Sequence, residues 1–171
     1  IDLNKALKEN GAMPPEKALR MCEMIVEAVG HAHSRHIVHR DLKPSNIMLS
    51  RGQCRVIDFG LGVYVEQELF TRLTKTGESP AGGHFTAREL CSDPRLIDPR
   101  SDIYSIGAIW YNALTNEMPA GANLADSLLR IEALPESHRL AILRCLSDAT
   151  HSYSTCAELL DDIRVASTKG G

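Results

Sequence analysis

Several features that would assign this chain of 171 residues to a class at once are missing from its sequence. No apolar run approaches the ~20 residues that a membrane span requires, and no signal peptide is recognisable. Basic residues do not exceed acidic ones, and the formal net charge is −3. Because phosphate backbones select basic surfaces, we expect no nucleic-acid partner and no membrane contact from this segment.

Cysteines are few, odd in number and without a C-x-x-C pair. The five positions are Cys22, Cys54, Cys91, Cys145 and Cys156. Such a pattern predicts reduced, mostly buried thiols in a cytoplasmic protein, or in the cytoplasmic domain of a membrane-anchored one. The sequence starts at Ile1 rather than at Met, so we expect it to be a piece of a longer protein.

What the sequence does contain is enough apolar material for one core. It is 43% hydrophobic and 24% charged, and a chain of this length buries roughly 70% of its unfolded surface. Apolar periodicity predicts helices over 3–9, 15–35, 101–115, 122–133, 136–147 and 154–166. The third of these helices, 101–115, is apolar on all sides and is predicted to form the core axis, with Ser101 as its cap and Asp102 favouring its N-terminal dipole.

Two short β runs interrupt the helices, over 47–49 and 54–57. The four residues between them predict a hairpin, which would fix the distance between Asn46 and Asp58. From 61 to 81 the sequence loses periodicity, and we expect a mobile loop there.

The most informative residues lie on either side of this hairpin. Residues 39–46 read His-Arg-Asp-Leu-Lys-Pro-Ser-Asn, and Asp58 begins an Asp-Phe-Gly triplet twelve positions after Asn46. Asp41 can accept the proton of a hydroxyl, and Lys43 can face a phosphate in transfer. The oxygens of Asn46 and Asp58 are ligands that Mg²⁺ prefers.

This order and spacing resemble the catalytic and metal-binding loops of eukaryotic-type Ser/Thr protein kinases. The likeness covers about residues 3–166 and is to the C-terminal, larger lobe of that family only. It implies a mainly α fold, a kinase-like helical core with a short β-hairpin that carries both loops. The predicted organisation is a partial kinase domain over 1–166 and a disordered tail over 167–171.

The resemblance also implies a site and its cofactors. Asp41 and Lys43 are the predicted catalytic residues. Lys43, Asn46 and Asp58 would bind ATP, and Asn46 and Asp58 would hold Mg²⁺. Asp102 corresponds to the aspartate that buttresses the family's catalytic loop. The Lys43-Pro44 pair is the Ser/Thr form, so the expected acceptor is a Ser or Thr hydroxyl of a protein substrate.

Three positions depart from the family pattern. Gly82 stands where a threonine is usual, Arg88 replaces the proline of an Ala-Pro-Glu triplet, and Ser152 takes the place of a late arginine that pairs with the triplet's glutamate. We hypothesise that Arg88, or another cation, pairs with Glu89 instead, because an unpaired buried carboxylate is costly.

The sequence also lacks the family's N-terminal lobe. None of its 12 glycines forms G-x-G-x-x-G, and no Val-Ala-Ile-Lys-like strand precedes the first helix. We therefore expect the isolated lobe to be inactive and the missing lobe to be its partner. An apolar surface left uncovered by that lobe would favour self-association.

Rival interpretations remain open. A pseudokinase-like scaffold would keep the fold for protein binding, and Gly82, Arg88 and Ser152 favour it. A kinase-fold phosphotransferase for small molecules usually lacks the Lys-Pro pair.

Four histidines form H-x-H-x-x-H-x-x-H and suggest zinc, although the first two point to different helix faces. These are His31, His33, His36 and His39. Four loop hydroxyls are phosphorylation candidates or simply a solvated polar loop. These are Thr71, Thr74, Thr76 and Ser79.

Overall fold

The computed structural model describes residues 1–59, 83–87, 98–120 and 123–168. The described residues form six α-helices, two short 3₁₀ turns and one two-stranded sheet. The helices are α1 (Leu3–Asn10), α2 (Pro15–His33), α3 (Arg100–Thr115), α4 (Leu124–Leu129), α5 (Glu136–Cys145) and α6 (Cys156–Thr168). The strands are β1 (Ile47–Ser50) and β2 (Gln53–Val56), and the 3₁₀ turns are Pro44–Asn46 and Gly83–Phe85. The predicted mainly helical lobe with one hairpin is confirmed.

The first two helices begin and end where their local sequence favours it. The Asp2 carboxylate accepts a hydrogen bond of 2.9 Å from the Lys5 amide and caps α1. Gly11 ends that helix at a φ of 75°, a conformation that glycine adopts without strain. Pro15 occupies the first position of α2, where its missing N–H needs no partner.

The hairpin has the register that its turn requires. Ile47 pairs with Val56 and Ser50 pairs with Gln53, so only two residues connect the antiparallel strands. Both connecting residues have positive φ, 48° at Arg51 and 77° at Gly52, as a type I′ turn demands. The ladder continues past the strands, because the Ile57 amide donates to the Asn46 carbonyl at 3.0 Å. The loops on either side of the hairpin are therefore held at a fixed separation.

Helix α3 is the core axis, as predicted. From Ser101 to Leu114 all but one of its side chains are buried, and α2, α5 and α4 pack around it. The predicted cap is wrong: the helix begins at Arg100, so Ser101 lies inside it and its hydroxyl donates to the Asp98 carbonyl at 2.6 Å. The Asp98 carboxylate, one residue before Pro99, instead accepts from the Arg100 amide at 2.8 Å.

The last helix begins and ends two residues later than the sequence suggested. Helix α6 packs against α2 and α5 and continues to Thr168. Residues 167 and 168 are therefore helical, although the sequence predicted a disordered tail from 167 onward. No glycine or proline stops the helix before Gly170. Among the helices of the described residues, none is both long and apolar enough to cross a bilayer.

Several sequence predictions fall on residues that are not described. They concern the loop 61–81 with its four candidate phosphorylation sites, Gly82, the pair Arg88 and Glu89, Cys91, and the tail residues 169–171.

Candidate active site

A buried carboxylate accepts hydrogen bonds from the backbone at the start of the loop 39–46. Asp102, in the first turn of α3, is completely buried. Its Oδ2 accepts the His39 amide and its Oδ1 accepts the Arg40 amide, each at 2.8 Å. Arg40 has a φ of 67°, a conformation that costs energy for a residue other than glycine and persists only where its surroundings enforce it. The buttress implied by the resemblance is confirmed, and it sets the path of the loop just before Asp41.

Two further side chains extend this support away from the loop. His33, the last residue of α2, contacts Asp102 Oδ2 through Nε2 at 2.8 Å. Its other ring nitrogen, Nδ1, lies 3.7 Å from the Cys156 sulfur at the start of α6. Sequence reasoning missed both roles, since His33 entered only as part of a zinc pattern. No spacing signal relates residues 69 and 123 positions apart.

His39 ties the two candidate loops together. Its Nε2 lies 2.8 Å from the Ile57 carbonyl, which can only accept, so Nε2 carries the hydrogen. Nδ1 then accepts the Asp41 amide at 3.3 Å. The same ring meets the Phe59 ring edge-on, with centroids 4.7 Å apart. His39 thus fixes Asp41 on one side and the residues flanking Asp58 on the other.

Of the four predicted site residues, Lys43 and Asn46 both contact a third, Asp41. The Lys43 ammonium donates to Asp41 Oδ2 at 2.7 Å, and the Asn46 amide nitrogen contacts the same oxygen at 3.4 Å. That nitrogen also donates to the Asp41 carbonyl at 2.8 Å. The side chains of Lys43 and Asp41 remain 40% and 33% exposed, so the cluster is accessible to a substrate.

The fourth, Asp58, is brought near through the backbone. It follows Ile57, whose amide is bonded to Asn46, and it has an exposed side chain and a φ of 63°. Aspartate is one of the residues that tolerate this left-handed conformation. Within the described residues no direct hydrogen bond joins Asp58 to Asp41, and the hairpin sets their separation.

The donor set suits a hard divalent cation. Asn46 uses its amide nitrogen for both contacts with Asp41, which leaves its amide oxygen available as a ligand. Asp58 offers an exposed carboxylate on the adjoining loop. Neutral and anionic oxygens, completed by water and phosphate, are the shell that Mg²⁺ prefers.

Three of the four histidines in the suggested zinc pattern have separate partners instead. His31 contacts Arg35, His33 contacts Asp102 and His39 contacts the Ile57 carbonyl. Within the described ranges, no group of three or more His, Cys, Asp or Glu side chains is arranged to hold a metal ion.

Of the three departures from the family pattern, only Ser152 lies within the described residues. It is buried, and its hydroxyl has no hydrogen-bond partner among the residues that the structure describes. The nearby Arg144 guanidinium lies over the Tyr153 ring, 3.9 Å from its centroid, and pairs with Glu158. Arg144 thus lies beside the place where the family has its arginine, and its charge is paired with Glu158.

The fold defines a class of protein. It is similar to a structure of Rad53 in complex with AMP-PNP, with a TM-score of 0.70 and 23% identity over 94% of this chain and 43% of that one. It is equally similar to the kinase domain of PknI from Mycobacterium tuberculosis, with a TM-score of 0.70 and 20% identity over 98% of this chain and 62% of that one. The chain thus has the fold of a protein kinase lobe.

The sequence comparison assigns the family. The model of the protein kinase domain matches residues 1–164, so the chain belongs to the protein kinase family. It is 31% identical to the serine/threonine-protein kinase PrkC of Bacillus subtilis over 97% of its length, and 30% identical to PknB of Mycobacterium leprae over 94%. It is 34% identical to AfsK of Streptomyces griseus over 87%. The chain spans only 27%, 28% and 19% of these three relatives, respectively.

Proposed function

We propose that the protein is a Ser/Thr protein kinase, which transfers the γ-phosphoryl group of ATP to a hydroxyl of a protein substrate. The observation that carries the proposal is the cluster of Asp41, Lys43 and Asn46 on a loop clamped by buried Asp102. Relatives named as Ser/Thr kinases support it. Phosphoryl transfer needs alignment and charge stabilisation more than covalent help, and a clamped loop supplies alignment.

In this proposal the two oxygens of Asp41 have different tasks. Oδ2 accepts from Lys43 and contacts Asn46, which fixes the carboxylate plane. Oδ1 is then the oxygen that faces the acceptor and receives the proton of its hydroxyl. The Lys43 ammonium, 2.7 Å from that carboxylate, stands where the phosphoryl group passes and stabilises its negative charge.

Asn46 and Asp58 would hold the nucleotide's metal ion. Their amide and carboxylate oxygens fit Mg²⁺, and Lys43 and these two residues together would bind ATP. When bound, Mg²⁺ neutralises charge on the β- and γ-phosphates. The task of this chain is to keep the two ligands in register, which the hairpin and the Ile57–Asn46 hydrogen bond of 3.0 Å accomplish.

We further propose that activity requires a nucleotide-gripping lobe that these 171 residues do not supply, since the sequence contains neither the glycine-rich loop nor its lysine strand. The lobe alone would then be inactive and prone to self-association, which sedimentation of the isolated chain measures. A cytoplasmic location, either of the whole protein or of this domain in a membrane-anchored protein, belongs to the same proposal. The free thiols of the four described cysteines support it.

Transfer of ³²P from ATP to a generic basic protein tests the proposal, with the nucleotide-binding lobe present. Asp41→Asn removes the proton acceptor, and Asp58→Ala removes a metal ligand, so each is expected to lower the rate by roughly 10²- to 10⁴-fold. Asp161→Asn, at an exposed position on α6, is the matched control and keeps full activity. Transfer that survives both site substitutions would refute the assignment.

The scaffold alternative has one observation in its favour. Ser152 occupies the place of the family's late arginine and leaves a buried hydroxyl that has no partner in the described part of the chain. A scaffold predicts that the protein with its nucleotide-binding lobe binds a fluorescent ATP analogue or a partner protein but transfers no phosphate. The kinase proposal predicts transfer that depends on Asp41.

A further inference from the structure

Three helices meet behind the catalytic loop through a line of polar side chains. Cys156 begins α6, His33 ends α2 and Asp102 lies in the first turn of α3. The sulfur lies 3.7 Å from His33 Nδ1, and His33 Nε2 lies 2.8 Å from Asp102 Oδ2. That same oxygen accepts the His39 amide. An unbroken series of polar contacts therefore connects α6 to the loop that carries Asp41.

A glycine allows the first of these contacts. A Cβ atom built on Gly30 would lie 3.1 Å from the Cys156 Cβ, tighter than ordinary van der Waals contact. Gly30 precedes His33 by three residues, so the two occupy the same side of α2. The close approach of α6 to α2 at Gly30 is what brings the sulfur within reach of the imidazole.

The chemistry of the groups sets the direction of the second of these hydrogen bonds and permits that of the first. The Asp102 carboxylate can only accept, so His33 Nε2 carries a hydrogen and donates. Burial, and secondarily the charge of Asp102, raises the pKa of the Cys156 thiol to about 12. The sulfur therefore keeps its hydrogen near neutral pH and can donate it to the Nδ1 lone pair.

We propose that Cys156 is a positioning residue for the catalytic loop: its S–H donates to His33 Nδ1 and so holds the tautomer whose Nε2–H fixes Asp102. Without this donor, Nδ1 would be a half-buried acceptor lacking its partner, and the imidazole would be free to turn or to change tautomer. The contribution to catalysis rests on the proposed kinase function, whereas the hydrogen-bond arrangement does not.

Nitrogen NMR of the imidazole rings in the 171-residue chain tests the arrangement directly. In the unsubstituted chain His33 should show a protonated Nε2 and an unprotonated, hydrogen-bonded Nδ1. Cys156→Ala should produce a mixture of tautomers and speed hydrogen exchange at the His39 and Arg40 amides by roughly three- to tenfold, the equivalent of one lost hydrogen bond. Cys156→Ser restores a donor and should recover a single tautomer.

Cys22→Ala is the matched control. Cys22 is a similarly buried thiol on α2, eleven residues before His33. Its substitution should lower stability without affecting the His33 imidazole. A protonated Nδ1 in the unsubstituted chain would overturn the proposal whether or not any variant folds. So would His33 signals and amide exchange that Cys156→Ala leaves unchanged.

A second measurement separates this proposal from the function on which its catalytic part rests. With the nucleotide-binding lobe present, Cys156→Ala should lower kcat and leave the KM for ATP unchanged, and Cys156→Ser should recover kcat. Absence of phosphoryl transfer from every variant and from the unsubstituted protein would refute the kinase function while the NMR result stands. Transfer with equal kcat in all three would refute the positioning role.

Discussion

Two buried regions of this lobe treat polar groups in opposite ways. Behind the catalytic loop, Asp102 and His39 are 0% and 1% exposed, and both are fully engaged in hydrogen bonds. In the layer formed by α5 and the turn after it, His138 and Ser152 are nearly as buried, at 4% and 8%. Yet His138 Nε2, the Ser152 hydroxyl and the indole nitrogen of Trp110 have no partner within the described residues.

The difference shows that a buried polar group in this lobe is not necessarily hydrogen-bonded. The catalytic loop needs one defined backbone path, including a left-handed Arg40, and hydrogen bonds have the direction to impose it. The α5 layer has only to fill space against Trp110, which apolar packing achieves without direction. We therefore expect its unpaired atoms to lower stability without disturbing the catalytic loop.

The largest effect is expected from Asp102→Ala. The substitution leaves two buried backbone N–H groups and the His33 imidazole without their acceptor, so the free energy of unfolding should fall by about 4 kcal/mol. Urea unfolding of the chain measures it. Asp161→Ala, at an exposed acid on α6, should stay within about 0.5 kcal/mol. If Asp102→Ala lowered the free energy of unfolding by an equally small amount, the two buried regions would not differ in how much their polar groups stabilise the fold.

A smaller loss is expected from His39→Phe. Phenylalanine preserves the ring contact with Phe59 but leaves the Ile57 carbonyl and the Asp41 amide unpaired, which should cost about 2 kcal/mol. The same urea measurement applies. His84→Phe replaces an exposed histidine and serves as the control. If both variants were equally stable, the hydrogen bonds of His39 to Ile57 and Asp41 would contribute nothing to the free energy of unfolding.

Ser152→Ala should change stability in the opposite direction. Removing a buried hydroxyl that has no partner among the described residues relieves its desolvation penalty, so the free energy of unfolding should rise by about 1 kcal/mol. Ser154→Ala, at an exposed neighbour, is expected to leave it nearly unchanged. A destabilised Ser152→Ala variant would mean that the hydroxyl does have a partner, and the contrast between the regions would fail.

The smallest effect concerns pH. Burial lowers the pKa of His138 below its ordinary value of 6.5, so the folded state favours the neutral ring. The unfolded chain then binds more protons as pH falls below about 6.5, and the stability present above that pH is progressively lost. His138→Gln removes this contribution, and its unfolding free energy should depend less on pH between pH 8 and pH 5. Parallel pH profiles would contradict the expectation.

Much of the fold follows from local sequence, because local rules decide it. Pro15 begins α2, and Arg51-Gly52 allows the tight turn that spaces Asn46 from Asp58. Helix α3 begins one residue earlier than predicted, at Arg100. The predicted cap, Ser101, therefore lies inside the helix, whereas a capping oxygen must lie just before the first turn. The Asp98 carboxylate, two residues before Arg100, was in that place.

The sequence by itself determined the reactive set. Asp41, Lys43 and Asn46 are near neighbours along one loop, and a short hairpin fixes the route from there to Asp58, so order and spacing suffice to bring these groups together. Only the tertiary structure decided what supports them. Gly30, His33, Asp102 and Cys156 come from three helices far apart in the chain. Their contacts depend on how closely those helices pack, which no local pattern records.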